Sequence, residues 1–580
     1  MNKNGWNIII LSLAILVGSI SVAPHLLAVQ NIDTEYKGIP FLYLNNEFGY
    51  VSRIQEISDG HGFVGSPNFF EYKNIIPIVP PFGEYAYYIL HILTGLSVLN
   101  TVVLAKFLFP AILFLLIYSF VSKLLKTTPD YVKKISAISA GIFVTLGYDL
   151  IDFRTVLSRL ITNDHNTYLS LWTRPVNPII GALLLFSFLI LVLNIIENKN
   201  RKINAVFAGL MLALTASYFF SFALAWIILL LLAFRYLWKR DYSIIKAFSI
   251  SALIAIIVDF FYWLNALKSV AGNAIDVANR NGLLHFHTPI LNKVLIIATT
   301  IFIVLVWKNF QNIKNEYVWF CGIMLTSGFI AFNQQIITSV TIWPYHFVQY
   351  TIPFSIIVIV VMCGNIFGQK YKKFYTVSCI SITSLVFIFA LWNISSYKNS
   401  MEDFKDRQPI GQLFSWLNNN AKKDCVVLVD EKNEIINEMI PATTHCNVYR
   451  SLDVNSGVPE ERTMWSYLIK LKLQGLTLSE IDSYLNSHKT EGTSYFFTDW
   501  DNAFGKKNNP ELENIIKKVT EQYKLFIKKD LATALSQYKL DYIITTNSDS
   551  QTIKELTSHI ELILQSHNNQ ETFSFYRFKK

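Results

Sequence analysis

A polar stretch close to the N-terminus is dense in groups that can hold protons and grip anions. It carries Asp33 and Glu35, then Asn46-Glu47-Phe48-Gly49-Tyr50, Arg53 and Glu56. Further on come Asp59, His61, Glu71, Tyr72 and Lys73, and it closes on Pro80-Pro81-Phe82-Gly83-Glu84. A carboxylate partly desolvated beside membrane helices gains proton affinity and can serve as a general base. In a wet loop the same acid is merely solvated. Cationic groups recur at Arg53, Lys73, Arg159, Arg174, Lys268, Arg280 and His346. Arg suits a bidentate grip on an anionic oxygen pair, and the same residues can instead anchor headgroups at a membrane interface. Arg174 stands out because Pro175 and Pro178 fix the backbone near it. His346 stands out because Asn333-Gln334-Gln335 lies at the other end of the same short loop. The acids could hold a divalent metal, but nothing requires one, and no cofactor is specified. There is no GxxxxGK[ST], HExxH or CxxC motif.

The elements that must position these groups are membrane helices. Of the 580 residues, 52% are hydrophobic and only 16% charged, against about 25% charged in soluble domains. Long, nearly uncharged runs recur along the chain, which excludes a cytosolic enzyme, a secreted protein and a single-pass receptor. The net charge of +9 reflects Lys and Arg clusters between spans, so it orients the chain and gives no sign of nucleic acid. Placing every cluster on one side gives about 11 spans with a cytoplasmic N-terminus in the plasma (inner) membrane. Residues 82–99 are apolar enough for a span. Counting them as one would put Lys123, Lys126, Lys133 and Lys134 outside, so they are expected to form an amphipathic helix at the outer interface. Spans 2 and 3 fall near 102–121 and 135–148, span 4 near 178–196, and spans 5 and 6 share 203–237. Spans 7, 8, 9 and 10 end near 264, 308, 332 and 370, and span 11 near 377–392 delivers the tail outside. Asp259, toward the outer end of span 7, could be functional or could bond to Tyr262 or a neighbouring helix.

From residue 393 the composition turns polar. Strand-like pieces at 425–430, 447–450, 495–498, 541–545 and 573–578 alternate with amphipathic pieces at 410–419, 462–473 and 514–526, as in a small α/β domain. The expected organisation is a membrane domain over 1–392, with a first outer loop at 30–82 and the interfacial helix at 82–99, followed by an extracytoplasmic α/β domain over 393–580. Cys425 and Cys446 lie in that tail and could pair if it faces an oxidising compartment.

Asn46-Glu47 with Tyr50 and Arg53, then Tyr72-Lys73 and Pro80-Pro81-Phe82-Gly83-Glu84-Tyr85, resembles the first outer loop of GT-C class glycosyltransferases. The nearest likeness is to polyprenyl-phosphate-dependent enzymes of the protein O-mannosyltransferase and aminoarabinose transferase type. Arg174-Pro175-Val176-Asn177-Pro178 and Asn333-Gln334-Gln335 with Pro344-Tyr345-His346 look like further outer-loop signatures of such proteins. The resemblance covers roughly the membrane part. It implies a GT-C-like polytopic helical fold that transfers a sugar from a polyprenyl-phosphate donor to a glycan, lipid or protein acceptor on the outer side. In that family an Asp-Glu pair begins the loop and carries the catalytic carboxylate. Here the first position is Asn46, which leaves Glu47 as the first candidate base, with Asp33 and Glu35 behind it. Asn46 can still hydrogen-bond a substrate. Tyr50, Arg53, Lys73, Arg174, Asn177, Asn333, Gln334, Gln335 and His346 become the candidate substrate-binding set. Cationic donors at the outer interface would stabilise the departing lipid phosphate.

Three other readings stay open. A multi-span transporter or flippase would show repeats and a polar path across the bilayer. An oligosaccharyltransferase would carry Trp-Trp-Asp in its tail, whereas this tail has Asp499-Trp500-Asp501. An envelope scaffold would use the tail to bind a partner.

Overall fold

The structure is a computed structural model. It describes residues 3–42, 45–77, 79–151, 170–270, 283–308, 315–430, 434–451, 457–496, 510–546, 551–567 and 572–579.

Among the described residues, eight helical stretches are long and apolar enough to cross a membrane: Gly5–Glu35, Val98–Leu124, Ile179–Ile196, Phe219–Trp238, Tyr242–Lys268, Glu316–Thr338, Pro344–Lys370 and Lys372–Asn420. With its mixed tail this is a polytopic α-helical membrane protein. Three shorter helices, Asp130–Leu146, Arg201–Leu214 and Lys293–Lys308, with 17, 14 and 16 residues, occupy the positions expected for spans 3, 5 and 8. Small residues let the helices approach closely, as is usual where lipid supplies no hydrophobic contrast. A Cβ on Gly209 would stand 2.7 Å from the Ser251 carbonyl, so helix Arg201–Leu214 can lie directly on Tyr242–Val270.

Between the first long helix and the next lie helix α1 (Asn45–Ser58) and helix α2 (Phe82–Thr94). Helix α2 lies where the amphipathic segment was expected. Gly83, Glu84 and Tyr87 are buried, while Ile89, Ile92 and Leu93 are exposed on the opposite side. Gly95, at φ 67°, ends it in a left-handed turn, and Ser97 caps the next helix, α3 (Val98–Leu124), through the Asn100 N–H.

The tail folds around a five-stranded sheet in the order β2-β1-β3-β5-β4, where β1 is Val426–Val429, β2 Asn447–Val448, β3 Tyr542–Thr545, β4 Ile560–His567 and β5 Thr572–Phe578. β1 pairs in parallel with β2 and β3, and β5 pairs antiparallel with β3 and β4. The piece expected as a strand at 495–498 departs from this. Tyr495 and Phe496 form a turn after a short helix, and Thr498 lies outside the described residues. Their apolar character serves packing: the Tyr495 ring lies 4.5 Å from that of Tyr467. Strand β4, with its alternating Ile-Glu-Leu-Ile-Leu, was missed. Cys425 and Cys446 are joined in a disulfide where β1 and β2 begin.

The tail is docked on the first outer loop. The Val448 N–H donates to the Asn68 carbonyl at 2.9 Å, and Asn447 Nδ2 to that of Pro67 at 3.0 Å. Gln408 accepts from the Lys37 N–H at 2.9 Å and donates to the Ile39 carbonyl at 3.1 Å. The Arg462 guanidinium lies between the rings of Phe69, at 4.1 Å, and Tyr538, at 4.2 Å, with Glu71 at 3.6 Å. Loop and tail therefore lie on one side of the helix bundle.

Candidate functional site

Helix α1 carries charged or phenolic groups at every third position: Glu47, Tyr50, Arg53 and Glu56. At 3.6 residues per turn each step of three shifts the face by about 60°, so the row winds from one side of the helix to the other. Each of these residues meets a different part of the chain.

Glu47 is 2% exposed, and both its oxygens accept from Lys106 Nζ on α3, at 3.1 and 2.8 Å. Lys106 is also buried, and its charge reaches His25, whose two ring nitrogens lack partners. Tyr50 accepts at its hydroxyl from Arg174 Nη2 at 2.9 Å, and the guanidinium lies 5.0 Å from its ring. Arg53 donates from Nε to buried Glu84 on α2.

Arg174 is the hub of a side-chain cluster drawn from four separate segments. Tyr50 comes from α1, Arg174 from the turn before helix Ile179–Ile196, and Tyr218 from the turn before helix Phe219–Trp238. Tyr345 and His346 come from a 3-10 turn, Pro344–Phe347. The Arg174 charge acts on Tyr218, Tyr345 and His346. Tyr218 donates to Gln349 Oε1 at 2.7 Å and lies 3.3 Å from His346 Nδ1. Arg174 Nε and Asn177 Oδ1 are buried with no hydrogen-bond partner. Among the described residues no carboxylate pairs with Arg174. Two cations of the first loop differ: Arg53 pairs with Glu84, and Lys73 with Glu56 and Asp424.

The backbone that presents Arg174 is strained. Val176 has φ 59°, unusual for a β-branched residue. Its N–H donates to the Tyr87 hydroxyl at 3.2 Å, and its side chain fills the space beside Gly83. A Cβ on Gly83 would meet Val176 Cγ1 at 2.7 Å. Gly83→Ala is therefore expected to lower thermal stability by about 1–3 kcal/mol through overpacking and to displace the Arg174 turn. Gly49→Ala, at an exposed position inside helix α1 where a Cβ meets nothing within 4 Å, should not lower the melting temperature and is expected to raise it slightly, since Ala favours the helix by about 0.5–1 kcal/mol over Gly.

The remaining candidates lie elsewhere. Asp33 and Glu35 form an exposed 3-10 turn, and Glu35 pairs with Lys405 of the tail at 3.1 Å. Asn46 belongs to α1, but its side chain lies outside the described residues. Asn333 exchanges hydrogen bonds with the Ile290 backbone. Gln334 donates to the Val340 carbonyl and Gln335 to that of Thr288. These three residues tie neighbouring loop segments together, and from the segment that follows them it is Tyr345 and His346 that stand near Arg174. Asp259 is buried, and neither of its oxygens has a hydrogen-bond partner. Tyr262 instead sets its ring against Phe82 at 6.0 Å. Arg159 and Arg280 lie outside the described residues. The described residues within mutual metal-ligand reach are Cys425, His445 and Cys446, and both cysteines belong to the disulfide.

Sequence reasoning missed Lys106, Tyr218 and Gln349. Lys106 left a signal as a lone cation inside an apolar span, which calls for a buried partner. Tyr218 and Gln349 left none, because a Tyr or Gln at a helix end is common at a membrane interface.

No protein-family model matches the sequence, and no curated protein does. Similar solved structures include ArnT from Cupriavidus metallidurans in the apo state, 10% identical over 99% of this chain and 98% of that one, with a TM-score of 0.48. The same protein bound to undecaprenyl phosphate gives 10% identity, the same coverage and a TM-score of 0.47. The archaeal oligosaccharyltransferase AglB from Archaeoglobus fulgidus, in complex with an inhibitory peptide and a dolichol-phosphate, is 13% identical over 99% of this chain and 74% of that one, with a TM-score of 0.42. Each of these alignments spans nearly the whole of this chain.

Proposed function

We propose that this chain is a membrane glycosyltransferase that takes a sugar from a polyprenyl-phosphate donor and passes it to an acceptor hydroxyl on the outer side of the membrane. The observation that carries this reading is Arg174: a part-buried guanidinium with no carboxylate partner among the described residues, ringed by hydroxyl and imidazole groups. A desolvated cation of this kind favours an anion. Arg presents the planar fork that suits phosphate. The sequence resemblance of the surrounding outer-loop segments points the same way.

Topology supports the outward placement. The tail contacts the first outer loop, so an even number of crossings must separate them. The eight long helices alone place seven after the loop, whereas 11 spans, with the three shorter helices crossing as well, place ten. A disulfide in the tail fits an oxidising compartment.

In the proposed reaction the lipid phosphate lies against Arg174, Tyr50 and His346, with the prenyl chain in the bilayer. The acceptor oxygen attacks the anomeric carbon with inversion. The bond from that carbon to the phosphate oxygen breaks, and its electron pair stays on the phosphate, where Arg174 meets the developing charge. Glu47 is the preferred base because it stands one turn from Tyr50 on α1. Lys106 holds its carboxylate, so the acceptor hydroxyl must displace one of those hydrogen bonds. Asp33 and Glu35 are less suited: both are exposed, and Glu35 faces the tail.

Purified protein in proteoliposomes, offered undecaprenyl phosphate carrying a panel of labelled sugars, is expected to discharge at least one of them to an acceptor. If donor lipids are left intact across the panel while the protein moves a lipid-linked substrate between leaflets, the flippase reading replaces this one.

A further inference from the structure

The far end of α1 from Glu47 meets the tail through a buried charge cluster. Lys73 Nζ lies 3.1 Å from Glu56 Oε1, 2.6 Å from Asp424 Oδ1 and 3.1 Å from Asn447 Oδ1. Glu56 and Lys73 are 4% and 3% exposed. His61 Nε2 lies 3.1 Å from the same Asp424 oxygen. Asp424 and Asn447 belong to the tail and directly flank the disulfide cysteines. This cluster thus joins the first loop to the tail across more than 350 residues of chain.

Its charges do not balance. Among the described residues Lys73 is the one cation in contact with both Glu56 and Asp424, and Asp59 adds further negative charge nearby. The tail helix Glu434–Thr443, packed along α1, has Glu438 as its one described charged side chain. From α2, Glu84 is paired with Arg53, and His91 lies 3.4 Å from Ser58. Lys423 and His445 act on Asp59. Glu56 Oε2 is buried with no hydrogen-bond partner. Ionised Glu56 therefore leaves an excess negative charge in a largely buried junction, and protonated Glu56 leaves Lys73 matched to Asp424.

We infer that Glu56 is a positioning residue whose proton locks the tail onto helix α1, so that the junction loosens as the pH rises. The same helix carries Glu47 and Tyr50, so docking of the tail sets where those two groups stand. That consequence for transfer rests on the proposed function; the junction itself does not.

The direction follows from linkage. Burial, opposed by Lys73, raises the Glu56 carboxyl from 4.5 to about 8. The docked form thus holds a proton that the undocked form releases, and docking weakens from pH 4.5 upward until about pH 8. Asp424 acts at the other end. Burial pushes its carboxyl up, but Lys73 and His61 outweigh that and hold it below 3.8. Its contribution is present above that value and is lost as the pH falls through the lowered one.

The test is a distance measurement on the full chain in nanodiscs, with spin labels at Phe63→Cys and Lys422→Cys, both exposed positions. A narrow short distance at pH 6 should gain a broad longer component at pH 9, with the docked-to-undocked ratio falling by up to about tenfold per pH unit. Glu56→Gln should keep the narrow distance at both. A wild-type distance unchanged between the two pH values overturns the inference, as does a pH response that survives in Glu56→Gln. Should that variant fail to fold, the wild-type comparison decides alone. No substrate is involved, so either result leaves the glycosyltransferase reading to its own test.

Discussion

Glu47→Gln and Lys106→Met, each made alone, are expected to cost about 3–5 kcal/mol of stability, because each strands a buried partner. Both side chains are almost fully enclosed, and the pair is joined through both carboxylate oxygens. The double variant Glu47→Leu with Lys106→Met removes both charges and should recover most of that loss, since matched apolar groups often equal or exceed a buried ion pair. Melting temperature in detergent reads the stability side. Sugar transfer reads the other: if Glu47 is the base, the double variant stays inactive although stable. A stable and active double variant would remove Glu47 from the chemistry and leave the pair a purely structural link between the first loop and α3. The cycle is more informative than Glu47→Gln alone, where loss of activity could come from the stranded Lys106.

Arg174→Ala is expected to lower transfer by about 100-fold or more, the scale of losing a donor aimed at developing charge. Arg174→Lys should recover only part of it, since an ammonium lacks the planar fork. Stability should hardly change, because Arg174 bonds to Tyr50 but balances no described carboxylate. Arg53→Met and Lys73→Met should show the opposite pattern. Those charges answer Glu84, Glu56 and Asp424, so stability falls and any loss of activity follows from it. Comparable kinetic losses for all three at unchanged stability would mean that the phosphate is held more widely than by the Arg174 cluster.

The bundle was legible because apolar runs and Lys/Arg clusters are collective signals that survive local irregularity. Over residues 82–99 hydropathy alone favours a span, and the charge clusters argue against one; the helix there, Phe82–Thr94, has 13 residues, buried near its start and exposed beyond. Arg174, Tyr50 and His346 could be picked as candidates by type and position. Their convergence could not be read, because it depends on how three outer turns and α1 pack. The candidate phosphate-binding cations mark the limit most clearly. Arg53, Lys73 and Arg174 look alike in sequence, and what separates them is whether an acid distant in the chain, such as Asp424, comes to meet them. Glu47 carried the same ambiguity, since its partner sits within an apolar helix.

The most direct measurement is the thermal shift given by undecaprenyl phosphate, with undecaprenol of the same length as the control. Wild type should be stabilised by the phosphate lipid and far less by the alcohol, and Arg174→Met should lose that difference. Equal stabilisation by the two lipids, or a phosphate-specific shift that Arg174→Met retains in full, would contradict a phosphate site at Arg174.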